Sequence, residues 1–380
     1  MKKPIAILCL LFLFLTGCGA GVEEAARDAQ VEPKTARIVA FGDLMFHRPQ
    51  LNAAQTEEGY DFKDNFNGVE PFINDADIAM INLETTLTDG EKGYTTFPVF
   101  SSPSELAYNL KEVGFDIIST ANNHAYDKQG EGTEKTYDYL KEAGLDVIGT
   151  QTKEPDPLVK DVNGIKIGFL SYTYGLNGFD HLLEESDKPY AVSVFSKERV
   201  ERDMARLNER GADIVVCYMH WGEEYTNEPT ETQKEQAKFL AEQGVSLILG
   251  SHPHVPQGVD NIPGSRGTTY VAYSMGNFVS NQRRENMSDR RVEMGQMVRA
   301  DIVKDEKGTR VAAFEPEALY VDKYWTDKLH YEVVPARATL AGEIPNERLD
   351  VIRPRLEETL EHQRRLVDPK LVVSVEDERS

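Results

Sequence analysis

Short apolar runs alternate with charged, amphipathic segments along most of the 380 residues, and few folds accommodate that alternation. Arg37 to Phe41, Asp77 to Leu83, Asp116 to Thr120, Leu145 to Gly149 and Gly164 to Tyr174 read as strands, as do Ala212 to Met219, Val245 to Leu249 and Thr268 to Ser274. Between them lie helices over Ser104 to Val113, Gly132 to Ala143, a segment capped by Ser196 and running to Arg210, and Glu231 to Gln243. Gly144, Gly211 and Gly244 stand where a helix end accepts a left-handed residue. Strands and helices of these lengths, in this order, predict an α/β layered domain with no internal repeat. Past residue 296, Met297 to Val303 and Arg310 to Phe314 read as a hairpin around Lys307-Gly308, and Glu347 to Val367 reads as a charged helix. The acidic end, Glu376 to Ser380, is expected to fray.

Chemistry collects at the carboxyl ends of the strands. Asp43 follows the first, Asn82 and Glu84 the second, and Asn122, Asn123 and His124 the third. His220 follows the strand ending at Met219, and His252 and His254 follow the next. Open α/β sheets bind ligands in the crevice at those ends. Any one of these residues serves equally well as a cap or turn, but five strand ends so furnished make a site. In Gly250-Ser251-His252-Pro253-His254, Pro253 favours an extended residue before it, and i and i+2 of an extended segment face the same way. Two imidazoles so placed suit a transition metal; the plainer reading is two loop histidines in solvent.

A formal net charge of −22 argues against nucleic acid as a partner. Only Cys9, Cys18 and Cys217 are present, which leaves no disulfide framework. Cys9 lies in the apolar run Ile5 to Leu15, preceded by Lys2 and Lys3, the layout of a secretory signal too short to span a membrane as an ordinary helix. The run closes on Leu15-Thr16-Gly17-Cys18, which resembles the lipobox of bacterial lipoproteins. That resemblance implies cleavage before Cys18 and lipid attachment to it. Anchoring then draws on about 0.8 kcal/mol per buried methylene. The expected organisation is a signal peptide over 1–17, a lipidated Cys18 with a tether to residue 35, a main domain over 36–300, and C-terminal strands, helix and acidic tail over 301–380.

Six ordered motifs carry a second resemblance. Gly42-Asp43, Asn82-Leu83-Glu84 and Ala121-Asn122-Asn123-His124 come first. His220-Trp221-Gly222-Glu223-Glu224, Gly250-Ser251-His252-Pro253-His254 and Ser274-Met275-Gly276-Asn277-Phe278 follow. Between residues 36 and 280 they resemble the CapA family of poly-γ-glutamate capsule biosynthesis proteins, itself similar to the calcineurin-like metallophosphoesterases. The resemblance implies a four-layer α/β/β/α sandwich holding one or two divalent ions, Mn, Fe or Zn, at the strand ends. It implies Asp43 and Glu84 as carboxylate ligands, Glu84 being the one shared between two ions. Asn123 ligates through its amide oxygen, and His220, His252 and His254 supply imidazoles. His124 matches the general acid, while Trp221 and Glu224 are expected to shape the site rather than react.

The sequence departs from the superfamily at two points. Met45 stands where an Asp-x-His pattern has its imidazole, and Asn82-Leu83-Glu84 replaces Gly-Asp-x-x-Asp. A thioether suits a hard cation poorly, and His47 reaches the site only if its loop bends back. One ion is therefore expected to be held firmly and a second weakly. Arg283, Arg284, Arg290 and Arg291 offer an anion-binding group for an anionic polymer or a phosphoester substrate. The interleaved Glu285, Asp289 and Glu293 favour an internally paired loop instead.

The expected function is that of a lipoprotein on the extracytoplasmic face of a bacterial membrane, acting in poly-γ-glutamate or envelope-polymer biosynthesis as a metal-dependent hydrolase. The alternative is a non-catalytic subunit that anchors a poly-γ-glutamate synthase and export complex. The anchor is testable by itself. Cys18→Ala should abolish incorporation of a radiolabelled fatty acid while residues 36 to 380 still fold. A wild-type chain that takes up no lipid in a lipoprotein-processing bacterium would refute the lipobox reading.

Overall fold

A computed structural model describes residues 32–153 and 156–371. The expected signal peptide, Cys18, most of the tether and the acidic end lie outside the described residues. Strand β1 (Lys34–Leu44) sets the architecture, because both of its faces are buried. Ile38 and Ala40 enter a core shared with a second sheet, while Val39 and Phe41 pack on the opposite face beneath helices. A period-two pleat buried on both sides explains why the run is apolar without interruption.

β2 (Ile78–Leu83) pairs with β1 in parallel. β3 (Thr86–Thr88) and β4 (Ser101–Pro103) form a small separate ribbon. β5 (Ile117–Ser119) and β6 (Asp146–Ile148) continue the parallel sheet beyond β2. The chain then builds the second sheet from β7 (Leu158–Val162), β8 (Ile165–Thr173), β9 (Ile214–His220), β10 (Leu247–Ser251), β11 (Val259–Gly264) and β12 (Gly267–Ala272). Its order is β11-β12-β10-β9-β8-β7, with β8, β9, β10 and β12 parallel. β13 (Asn277–Val279) returns to pair with β1. β14 (Met294–Asp305) then pairs antiparallel with β1, and β15 (Gly308–Trp325) and β16 (Leu329–Pro335) widen the first sheet in antiparallel succession.

Ile38, Ala40 and Met80 of the first sheet meet Ile167, Val216 and Leu249 of the second. Helices Glu105–Val113 and Gln129–Glu142 cover the outer face of the first sheet with Leu106, Leu110 and Leu140. Helices Lys197–Glu209 and Glu231–Gln243 set Val200, Met204 and Leu240 against Val215, Cys217 and Met219 on the outer face of the second. The result is the expected α/β/β/α sandwich. Helix Leu349–Leu366 packs Ile352 and Leu356 on Ala318, Tyr320 and Val334. The hairpin around Lys307-Gly308 is present, with arms much longer than the apolar runs suggested, and β14 passes through residue 300 as part of the first sheet. Edge strands β7 and β11 are only partly buried and carry polar residues such as Lys160, Asp161, Asp260 and Asn261 where solvent reaches them.

Two glycines let the backbones close up beneath the strand ends. A Cβ on Gly42 would lie 1.9 Å from the Gly276 carbonyl oxygen, and one on Gly250 would lie 2.0 Å from that of Tyr273. Both glycines immediately precede chemistry-bearing segments, Asp43 and Ser251-His252. Gly250→Ala should therefore destabilise the chain by about 1–3 kcal/mol through overpacking against backbone. Gly130→Ala, in a helix with only the Tyr126 hydroxyl nearby, should instead be neutral or stabilise by about 0.5–1 kcal/mol. Urea denaturation of the two variants checks the contrast, and equal midpoints would show that the strands have room to part.

Candidate metal centre

The parallel strands of both sheets deliver their last residues to one border. Asp43 lies in register with Asn82 and Asn277, and His220 lies in register with Thr173 and Ser251. Just beneath, the Tyr218 hydroxyl donates to the Phe41 carbonyl and ties one sheet to the other.

The donors converge on an unpartnered atom. Glu84 is fully buried, yet its Oε1 accepts no hydrogen bond. It lies 3.7 Å from Nε2 of His220 and 3.7 Å from Nε2 of His254. Those separations are too long for hydrogen bonds but match the spacing of neighbouring ligands around one cation, each roughly 2 Å from it. His252 Nδ1 is buried and equally unpartnered. Asn123 Oδ1 lies 3.0 Å from His220 Nε2. Glu84, His220 and His252 form one group able to hold an ion, and Asp43, Glu84 and His254 form another that shares Glu84. The structure thus brings together Asp43, Glu84, Asn123, His220, His252 and His254.

A surrounding network orients these groups. Asp43 Oδ1 accepts from Asn82 Nδ2 at 2.8 Å, and its Oδ2 accepts from the His252 backbone N–H at 3.1 Å and faces His254 Nδ1 at 3.2 Å. Asn82 Oδ1 in turn accepts from Asn122 Nδ2. His220 Nδ1 faces Ser251 Oγ at 3.0 Å. With each Nδ1 engaged, the Nε2 atoms of His220 and His254 point toward Glu84, the arrangement that second-sphere partners impose on ligating histidines. Burial, and then the charge of Asp43, pushes the Glu84 carboxyl well above the usual range. Burial, and then neighbouring imidazoles, holds His220 well below the ordinary value and His252 down to about 3. Neutral imidazoles beside a carboxylate whose charge has no counterion fit a divalent cation.

One geometric expectation is overturned. His252 and His254 are not extended: their φ angles are +98° and +57°, in the left-handed region. The backbone reverses because the His252 N–H turns back to Asp43 and the Pro253 carbonyl accepts from the Tyr225 N–H. Strained turn geometry, not pleat alternation, makes the two imidazoles converge, at a cost of about 1–3 kcal/mol for each residue so held.

His124 stands beside this cluster with its Nδ1 2.7 Å from Asp127 Oδ2, and both side chains are buried. Asp127 also accepts from the Phe100 N–H at 2.6 Å. Asp127 was not singled out in the sequence, although its i+3 spacing from His124 was the available signal. The Phe100 ring meets His124 edge-on at 4.7 Å and His47 at 5.3 Å. Burial lowers His47 to about 4, and its Nδ1 accepts from the Asn281 N–H. The half-exposed Tyr174 ring lies 4.7 Å from that of His252, at the mouth of the site. Glu224 was expected only to shape the site. Its carboxylate lies within 4.8 Å of ligand atoms of both His252 and His254. The four arginines face carboxylates of the chain itself. Arg283 and Arg284 pair with Glu293, Arg290 with Glu358, and Arg291 with Asp289.

Comparison with known proteins places the chain. It is similar in structure to the calcineurin-like phosphoesterase YfkN from Bacillus subtilis, with 12% identity, coverage of 87% of this chain and 99% of that one, and a TM-score of 0.43. It is 31% identical over 295 residues to the capsule biosynthesis protein CapA of Bacillus anthracis, spanning 74% of this chain and 70% of the relative. The PGA biosynthesis protein CapA of Bacillus subtilis (strain 168) is 28% identical over 291 residues, spanning 73% of this chain and 72% of the relative. The family model described as bacterial capsule synthesis protein PGA_cap matches residues 37–282, well over half of the chain. The chain belongs to that bacterial capsule synthesis family.

Proposed function

We propose that this chain is a metal-dependent hydrolase of poly-γ-glutamate capsule or envelope-polymer biosynthesis, anchored through Cys18 at the extracytoplasmic face of the membrane. The observation that carries the reading is the buried, unpartnered Glu84 Oε1 set 3.7 Å from two imidazole nitrogens, with the buried His124–Asp127 pair alongside. Burying a carboxylate oxygen without a partner is costly, and a cation removes that cost. Asn123, His220 and His252 with Glu84 would hold one ion, and Asp43 and His254 with the shared Glu84 would hold another.

Such an ion supplies Lewis acidity toward an anionic group such as a phosphoester. The chain's own residues do the rest. Asp127 accepts at Nδ1 of His124, which fixes the ring and leaves Nε2 to deliver a proton to a departing alkoxide. Phe100 packs edge-on against the same ring and limits the water around it. Tyr174, half-exposed above His252, offers a face to the incoming substrate. An anionic polymer or phosphoester is the proposed substrate, and polymer synthase subunits in the same membrane are the proposed partners.

Two tests follow. Protein stripped with a chelator should gain thermal stability on adding Mn²⁺ or Zn²⁺, by roughly 5 °C or more once the ion exceeds its dissociation constant about a hundredfold. His220→Ala should markedly reduce that response, and a wild-type melting curve indifferent to every divalent ion would refute the metal centre. His124→Ala should keep the metal-dependent shift while turnover of a phosphoester or polymer substrate falls by about two to four orders of magnitude. Full capsule production by a strain carrying only His124→Ala would assign the chain to scaffolding.

A further inference from the structure

The departure at Met45 would leave the second ion, the one nearer Asp43 and His254 and here called the outer ion, short of an imidazole, but a carboxylate from another loop approaches His252 and His254. The segment after β9 is pinned against the histidine turn by two backbone bonds. The Trp221 N–H donates to the Ser251 carbonyl at 3.1 Å, and the Tyr225 N–H donates to the Pro253 carbonyl at 2.8 Å. Tyr225 itself is left-handed, with φ +63°, directly facing a turn whose two histidines are also left-handed. Its conformation is fixed from further directions. Arg291 Nη2 donates to its carbonyl at 2.9 Å, and Gln282 Nε2 donates to its hydroxyl at 3.1 Å. The residue before it, Glu224, is therefore delivered by a rigid backbone rather than by a free loop.

Where that delivery points is also clear. A Glu224 carboxylate oxygen, a His252 ring nitrogen and a His254 ring nitrogen lie within 4.8 Å of one another, close enough to share one cation. His252 is 4% exposed, and its Nδ1 has no hydrogen-bond partner. Glu224 is the exposed member of the three, on the solvent side of the buried pair. Resting on the metal-dependent reading above, we infer that Glu224 is a ligand of the outer ion, supplying from the His252–His254 side the donor that Met45 leaves missing.

The chemistry of the set supports this. An oxygen donor replaces a nitrogen donor, which biases the outer position toward a harder ion such as Mn²⁺. Three carboxylates facing two dications leave the centre with a residual positive charge suited to an anionic substrate. The ligand also explains the strained tripod of His252, His254 and Tyr225, since relaxing any one of them moves Glu224 away from the imidazoles. The second ion is then held firmly rather than weakly, reversing the expectation drawn from Met45 alone.

Loading the full-length chain with Mn²⁺, dialysing, and measuring the metal-to-protein ratio with electron paramagnetic resonance tests the assignment. Wild type should retain two Mn²⁺ per chain and show the exchange-coupled spectrum of a close pair. Glu224→Gln, which keeps size and loses charge, should retain one ion and show an uncoupled spectrum, with the outer ion's affinity down at least tenfold. Glu223→Gln, the adjacent exposed carboxylate, should match wild type. Two coupled ions in Glu224→Gln, or a single ion in both it and wild type, would overturn the role of Glu224 while leaving the metal centre standing. No retained Mn²⁺ in wild type would overturn both.

Discussion

A single buried oxygen atom, Glu84 Oε1, organises this molecule's chemistry. Its carboxyl group is out of reach of solvent and without a hydrogen bond on that side, and among the described residues His252 Nδ1 and Asn277 Oδ1 at the same strand ends are likewise unpartnered. The neighbouring atoms do not relieve it; they are arranged around it at ligand spacing. Asn82 and Asn122 brace Asp43, Asp43 turns His254, and Ser251 turns His220. Each of these bonds engages an atom that would otherwise compete for the central position.

That arrangement is maintained against backbone strain. Three non-glycine residues, Tyr225, His252 and His254, sit in left-handed conformations within one pair of facing loops. Strain of this kind persists only where surrounding contacts over-determine it. Here the contacts are the paired backbone bonds between the two loops and the close glycine approaches at Gly42 and Gly250. The sandwich beneath supplies the rigidity: both faces of each sheet are covered, and the central strands bury apolar residues on both of their faces.

Much of this was legible in the sequence, and the failures have physical causes. The central strands were readable because two-sided burial writes an apolar run on both faces, as in Ile214 to Met219. Edge strands β7 and β11 escaped notice because they face solvent and carry charged or polar residues. The candidate donors that the structure brings together were readable because each lies at or shortly after the end of a strand, a position that sequence order marks. Asp127 and Glu224 were harder, since their importance lies in loops folded over the site rather than in strand termini. The direction in which His252 and His254 face was misjudged because local preference near Pro253 favours extension, whereas contacts distant in sequence impose a reversal.

The Tyr218–Phe41 hydrogen bond marks the seam along which the two halves of the sandwich meet. Asp43 and Glu84 belong to one side of that seam, and His220, His252 and His254 belong to the other. On the proposed metal-dependent reading, an ion gripping both sides would act as a rivet, favouring the closed arrangement of the two sheets and resisting slippage between them. Folding of the described domain would then be completed only where the rivet is in supply, making the availability of the ion a checkpoint on its closure.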